Sequence, residues 1–256
     1  MRRTRTVPLV DDVEHFNEHG WVLTRSHGEV DAVARWVDEV AGWPDDAGPW
    51  LHHREMTDAG PKLCRTENFV PLHEGLRALL TTGTMLATAS ALLGEPAVLY
   101  KEKINYKLPG GAGYAPHQDA PAYRFVQTHV SCMVAVDDSL VANGCLEVVS
   151  GRHHDLLPVD DVGCIRADVV EEMEWASVEV RAGETLWFHS RTPHRSGPNL
   201  GAAPRRALYP TYNAASEGDL RAAYYEQKRA ELAAVGDDDA RVAVSLIGDF
   251  QGRPVR

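Results

Sequence analysis

Two residues that can bind a metal ion stand one position apart near the middle of the chain, after a glycine-rich loop. They are His117 and Asp119 in the segment GGAGYAPHQDAPAY, residues 110–123. On a β-strand, side chains at positions i and i+2 point to the same face, so we expect this imidazole and this carboxylate to lie side by side. A hydrogen-bonded histidine–aspartate pair has the same spacing, and a metal site needs at least one further ligand.

The third ligand must come from the histidines that follow Asp119. His194 stands in a proline-containing loop after an apolar strand, a position typical of a strand edge at a barrel mouth. Two histidines and one carboxylate form the facial triad of non-haem Fe(II) oxygenases, which leaves coordination positions open for a co-substrate and O₂. His189 is a close rival in the same segment, and the full set of candidates is His129, His153, His154, His189 and His194.

The part of the chain that carries these residues has a β pattern from about residue 98 to about residue 215. Its segments are short, rich in β-branched and aromatic residues, and bounded by Gly, Pro, Asn or Asp. Examples are VLYKEKINYKL, THVSCMVAVDD, CLEVVSG, TLWFHS and RALYPTYNAA. Such a series predicts a mainly β fold with flanking helices, built on a jelly-roll core, the double-stranded β-helix of cupin-like proteins.

Helical patterns flank this core in one predicted domain of residues 1–256. Residues 1–97 are predicted to be mainly helical, with strands at WVLT and LCRTENFV and a loop over residues 44–53. Their strongest pattern is one long helix in HEGLRALLTTGTMLATASALLG, ended by Gly94. A C-terminal helix is predicted at about residues 216–235.

Composition restricts the class of protein. The formal net charge is −11, which argues against nucleic acid and anionic membranes as partners. The four cysteines form no CxxC pair, and the N-terminus has no apolar segment typical of a signal peptide. No run resembles a membrane span. We therefore expect a cytoplasmic protein, monomeric or homodimeric, that acts on a small molecule.

The motifs resemble the phytanoyl-CoA dioxygenase (PhyH) family of Fe(II)/2-oxoglutarate oxygenases. HQD is followed 75 residues later by a histidine, then by SGPN and PRRAL. The resemblance covers about residues 10–225, and RTENFV, YKEKINYKLPGG and HRSGPN are most similar to the 2-aminoethylphosphonate dioxygenases and their relatives with trimethylated substrates. It implies that Fe(II) is bound by His117, Asp119 and His194, and that 2-oxoglutarate and O₂ are co-substrates. Those enzymes hydroxylate the carbon next to phosphorus, with release of succinate and CO₂.

The family pattern also assigns residues to the co-substrate. Arg205, eleven residues after His194, matches an arginine that binds the far carboxylate of 2-oxoglutarate. Ser196 matches a hydroxyl at the same carboxylate, and Asn105 matches an amide on the strand before HQD. Arginine suits this role because its planar guanidinium can donate two parallel hydrogen bonds to one carboxylate. Arg206 would point to the opposite face of the strand.

The substrate residues remain open. Lys103 and Lys107 share a strand face with Lys101 and Asn105, and could meet a phosphonate. An amine could be bound by an acid, whereas a quaternary ammonium could be bound by an aromatic ring. We expect a small zwitterion, first of all 2-aminoethylphosphonate or an N-methylated analogue. The alternatives are an amino acid or natural-product intermediate, and a metal-binding β-barrel sensor without turnover. The further candidates are Arg65, Glu67, Asn68, Tyr123 and Tyr212.

Overall fold

A computed structural model describes residues 10–25, 29–45, 47–234, 244–245 and 248–255 of the chain. Its helices are α1 Val10–His19, α2 Val30–Ala41, α3 Glu74–Thr81, α4 Gly83–Leu93, α5 Ala167–Val170 and α6 Arg221–Ala234. Its strands are β1 Trp21–Thr24, β2 Leu51–Thr57, β3 Gly60–Glu67, β4 Ala97–Lys107, β5 Tyr114–His117, β6 His129–Ala135, β7 Leu146–Val148, β8 Ala176–Val178, β9 Thr185–His189, β10 His194–Ser196, β11 Arg205–Ala214 and β12 Pro254–Val255.

The strands form two antiparallel sheets. The larger has the order β1-β9-β6-β11-β4-β3-β2-β12, and the smaller has the order β5-β10-β7-β8. A buried apolar cluster combines side chains of both sheets, including Met133, Leu146, Val178 and Phe188, so the sheets face each other across it. The predicted mainly β, jelly-roll architecture is confirmed.

Along the central strands of the larger sheet, successive side chains point alternately to one face and to the other. On β4, Ile104 and Tyr106 join the main apolar core together with residues of the helices, such as Val37 and Leu76. The intervening residues of β4 point to the side of the smaller sheet. This alternation places the polar side chains of β4 in the barrel interior, where the candidate site lies.

The N-terminal part is less helical than predicted. β1, β2 and β3 all lie within residues 10–97 and pair into the larger sheet, and β2 already begins at Leu51, inside the predicted loop. The strands predicted at WVLT and LCRTENFV are present. The predicted C-terminal helix is α6, while residues 1–9 and 235 lie outside the described residues.

The long helix predicted before Gly94 is two helices. Thr82 adopts an extended conformation between α3 and α4, and Gly83 has a φ of 60°, which favours glycine. The stretch Glu74–Leu93 is long and apolar enough to cross a membrane, a property that the sequence reading missed. In the structure its buried residues, which include Leu76, Leu80 and Ala89, pack into the main core.

Candidate active site

His117, Asp119 and His194 converge in the interior of the barrel. His117 ends β5 and pairs directly with His194, which begins β10, and their ring centroids lie 4.2 Å apart. One ligand atom from each of the three residues lies within 4.8 Å of the other two. All three side chains are buried. The structure therefore brings together the metal-ligand set predicted from the sequence.

Asp119 reaches the site by a turn and not by strand alternation. β5 ends at His117, and Asp119 has helical backbone angles (φ −69°, ψ −31°). Gln118 fixes this turn because its buried amide donates to the carbonyls of Asp155 and Arg191 and accepts from the Leu157 amide. The expectation that His117 and Asp119 share one face of a strand was wrong, although their proximity was predicted correctly.

Backbone carbonyls orient both imidazole rings. The Nδ1 atom of His117 lies 2.7 Å from the Ala115 carbonyl oxygen, and that of His194 lies 3.0 Å from the Thr192 carbonyl oxygen. Each Nδ1 therefore carries the proton, and each Nε2 presents a lone pair to the site. Burial and the neighbouring His117 lower the pKa of His194 to about 4. The neutral imidazole that binds a metal is thus the stable form.

A hydroxyl pair holds the Asp119 carboxylate. Ser131 Oγ donates to Asp119 Oδ2 at 2.7 Å and lies 3.0 Å from Thr211 Oγ1. Burial opposes ionisation of Asp119, but His194 and Lys101 outweigh it and hold the pKa of Asp119 well below its usual range. Two imidazoles that direct Nε2 toward the site and one ionised, oriented carboxylate fit a divalent iron ion. When bound, Fe(II) with 2-oxoglutarate and O₂ supplies the oxidation of a C–H bond.

Two buried cations, Arg205 and Lys107, lie further along the same face of the larger sheet. Arg205 is buried, and its Nη1 donates to Ser139 Oγ at 3.2 Å and to Met133 sulfur at 3.6 Å. Its Nε has no hydrogen-bond partner among the described residues. Lys107 Nζ donates to Ser196 Oγ at 2.9 Å, and burial and Arg205 lower the pKa of Lys107. Because no carboxylate pairs with either cation within the described part of the chain, this end fits the free carboxylate of 2-oxoglutarate.

The cavity at the triad has about 390 Å³ of empty space, including its opening to solvent, which suits small ligands. Of the predicted residues beyond the triad, Lys103 and Asn105 line it, and Arg205, Ser196, Lys107 and Arg65 do not. Arg65 borders the site because its Nε donates to Asn105 Oδ1 at 3.0 Å. The other polar lining residues are Lys101, Tyr114, Ser131, Tyr209, Thr211 and Asp249.

The side chains of Glu67 and Asn68 already form hydrogen bonds within the protein. Glu67 is buried and accepts from Lys228 Nζ at 2.6 Å, so a substrate amine would have to displace that lysine. Asn68 has a φ of 61°, donates to the Pro49 carbonyl and accepts from Arg221. The structure places both side chains outside the cavity lining.

The two predicted aromatic candidates have different positions. Tyr123 lies below Lys101, whose Nζ is 4.3 Å from the ring centroid, so it borders the site. Tyr212 faces the opposite side of the sheet, in the main core, and its hydroxyl donates to the Leu80 carbonyl at 2.8 Å. The prediction for Tyr212 was therefore wrong, because its ring lies on the helix-covered face of β11.

The rival histidines are excluded by position. The rings of His189 and His153 pack against each other at a tilt, with centroids 5.4 Å apart. None of the four rivals lines the cavity: His129, His153, His154 and His189. The sequence reading missed Ser131, Tyr114 and Asp249. Ser131 was detectable as a lone hydroxyl inside an apolar strand, whereas Asp249 follows the region of family resemblance and gave no signal.

Comparisons with known proteins agree with this geometry. The family model described as "Phytanoyl-CoA dioxygenase (PhyH)" matches residues 16–207. A methylphosphonate hydroxylase from Gimesia maris is 44% identical over 95% of this chain and 96% of its own length. A 2-aminoethylphosphonate dioxygenase from an uncultured bacterium is 40% identical over 76% of each chain.

Among solved structures, EctD from S. alaskensis, crystallised with 2-oxoglutarate and 5-hydroxyectoine, superimposes with a TM-score of 0.72. It covers 82% of this chain and 77% of its own, at 18% identity, so it supports the fold alone. The sequence matches carry the family assignment, since one of them spans almost the whole chain. The chain belongs to the phytanoyl-CoA dioxygenase family and is an Fe(II)/2-oxoglutarate-dependent dioxygenase.

Proposed function

We propose that this dioxygenase hydroxylates a small phosphonate at the carbon bonded to phosphorus, with 2-aminoethylphosphonate or an N-methylated analogue as the first candidate. One observation carries the proposal: Lys101 and Lys103 project from β4 into the cavity beside the triad. Within the described part of the chain, neither ammonium group forms a hydrogen bond or a salt bridge. Their contacts are with the rings of Tyr123 and Tyr209.

Two buried lysines without a salt-bridge partner make this site suited to an anionic ligand. Burial lowers the pKa of Lys101 to about 8 and lowers that of Lys103 well below its ordinary value. A phosphonate dianion between them would stabilise both ammonium groups and would hold the adjacent carbon near the triad. The relatives named for methylphosphonate and 2-aminoethylphosphonate support this substrate class.

The test is succinate release from 2-oxoglutarate with a panel of phosphonates, followed by phosphorus NMR of the product. We expect 2-aminoethylphosphonate to stimulate succinate release and to yield a product with a hydroxyl on the phosphorus-bound carbon. Lys103→Met should lower kcat/KM for the phosphonate about 100-fold, the cost of losing one charge-assisted contact in a buried site. Lys62→Met, at an exposed lysine of β3, is the matched control and should change it less than about twofold. Stimulation by an amino acid or a natural-product intermediate, but by no phosphonate, would overturn the proposal.

A further inference from the structure

The C-terminal segment contributes one residue, Asp249, to the cavity lining. We call residues 248–255 the C-terminal strap. Its last residues, β12, pair with β2, and the Phe250 ring packs on Tyr114 with centroids 5.2 Å apart. Three backbone hydrogen bonds also tie it down: Gly248 N to Val162 O, Ala115 N to Asp249 O and Gln251 N to Gly113 O. The strap is therefore fixed against both the β5 region and the edge of the larger sheet.

Asp249 is the strap residue that enters the cavity. The residue is 2% exposed, and its Oδ2 lies 3.2 Å from His117 Nε2. Its Oδ1 has no hydrogen-bond partner among the described residues. A buried carboxylate that lines the cavity thus presents an open acceptor to it.

The contact with His117 does not satisfy this carboxylate. Because His117 Nδ1 donates to the Ala115 carbonyl, the neutral ring presents a lone pair at Nε2 toward another acceptor. A metal ion would engage that lone pair and leave Asp249 without it. Asp249 is also not part of the group of ligand atoms within 4.8 Å of one another, which consists of His117, Asp119 and His194. The Oδ1 atom of Asp249 is therefore free to accept from a cationic ligand that is separate from the metal.

We propose that Asp249 binds the ammonium group of the substrate, while Lys101 and Lys103 bind its phosphonate. The inference rests on the proposed function and sharpens it, because the cavity then selects aminoalkylphosphonates over phosphonates without an amine. Two cations on β4 and one anion on the strap match the charge order of a small zwitterion. A substrate without the amine would leave the carboxylate buried and unpaired, and sites of this kind discriminate by about 100-fold or more.

The test compares 2-aminoethylphosphonate with ethylphosphonate, which has the same carbon skeleton and no amine. In the wild-type enzyme we expect kcat/KM to favour the amine by about 100-fold. Asp249→Asn should remove most of this preference by lowering kcat/KM for 2-aminoethylphosphonate, with ethylphosphonate changed by less than about threefold. Calorimetry with Co(II), 2-oxoglutarate and each phosphonate, in the absence of turnover, should show the same difference in dissociation constants.

Two controls separate this role from others. Phe250→Leu loosens the strap without removing the charge, and should affect both phosphonates alike. Titration of Co(II) into the wild type and Asp249→Asn should give equal affinities. An equal loss for both phosphonates in Asp249→Asn, an unchanged preference, or a weakened metal affinity would each overturn the ammonium site while leaving phosphonate hydroxylation intact. If no phosphonate binds or turns over in the wild type, the proposed function fails, and the ammonium site with it.

Discussion

Replacement of Arg205 by methionine should separate the binding of 2-oxoglutarate from the stability of the fold. The methionine keeps an unbranched apolar side chain but removes the buried guanidinium, which contacts Met133 and Ser139. The loss of one partner of a buried, charge-assisted pair costs about 2–4 kcal/mol. That corresponds to a rise in KM for 2-oxoglutarate of about 30- to 1,000-fold. Lys107 remains close to the same carboxylate, so we expect the lower half of this range.

The direction in which Arg205→Met changes protein stability shows whether Arg205 serves ligand binding or holds the fold together. Without ligand, the described partners of Arg205 are a serine hydroxyl and a thioether, and no carboxylate pairs with it. Removal of this buried charge should therefore leave the urea midpoint of the ligand-free protein unchanged or higher. The stabilisation that 2-oxoglutarate gives to the wild type in thermal unfolding should be lost.

Arg206 provides the matched control on the opposite face of β11. Its guanidinium donates to Asp137 at 2.7 Å and also contacts Asp38. Arg206→Met should lower the free energy of unfolding by about 1 kcal/mol and leave KM for 2-oxoglutarate unchanged. The assay is succinate formation at varied 2-oxoglutarate concentration, with urea unfolding in parallel. If KM rises less than threefold in Arg205→Met, or rises equally in both variants, the assignment of Arg205 is wrong.

Three further changes test other contacts of the site. Ser131→Ala removes the hydrogen bond to Asp119 and should weaken Co(II) binding about 10- to 100-fold by titration, and an unchanged affinity would contradict the role of the hydroxyl. His53 is buried with a pKa lowered from 6.5 to about 3, so the unfolded chain takes up a proton that the folded chain does not as pH falls below 6.5. Wild-type stability should therefore fall by about 2 kcal/mol from this residue between pH 7 and pH 5, and urea unfolding of His53→Leu should show a smaller pH dependence by that amount. Glu67→Gln leaves Lys228 buried without its partner and should cost about 3–5 kcal/mol in urea unfolding. The double variant Glu67→Gln with Lys228→Met should recover part of that loss, and a change in substrate affinity without a loss of stability would instead assign Glu67 to the substrate.

The metal ligands could be predicted because few residue types bind iron and their spacing is distinctive. His194 and Arg205 were identified by the family resemblance, since spacing alone left His189 as a rival. The local path to Asp119 could not be predicted, because Gln118 turns the chain through contacts with residues 155–157 and 191, which are distant in sequence. Residues 117–119 therefore form a turn where a continuous strand was expected.

Tertiary packing explains the remaining differences. Tyr212 was expected near the substrate, but its position on β11 directs it into the core under α3 and α4. The extended Thr82 interrupts a pattern that is helical on both sides. Asp249 reaches the site only because the strap packs against the β5 region and pairs with β2, and no local pattern encodes such contacts. The cytoplasmic location and the monomeric or homodimeric state stay predictions.

The most direct measurement of the central claim is turnover of 2-aminoethylphosphonate under isotopically labelled O₂. Mass spectrometry of the products reports which atoms receive the label. An Fe(II)/2-oxoglutarate hydroxylase acting on phosphonates should place one labelled oxygen in succinate and one in a hydroxyl on the phosphorus-bound carbon. Labelled succinate without a hydroxylated phosphonate, or a hydroxyl on the amine-bearing carbon, would contradict the account.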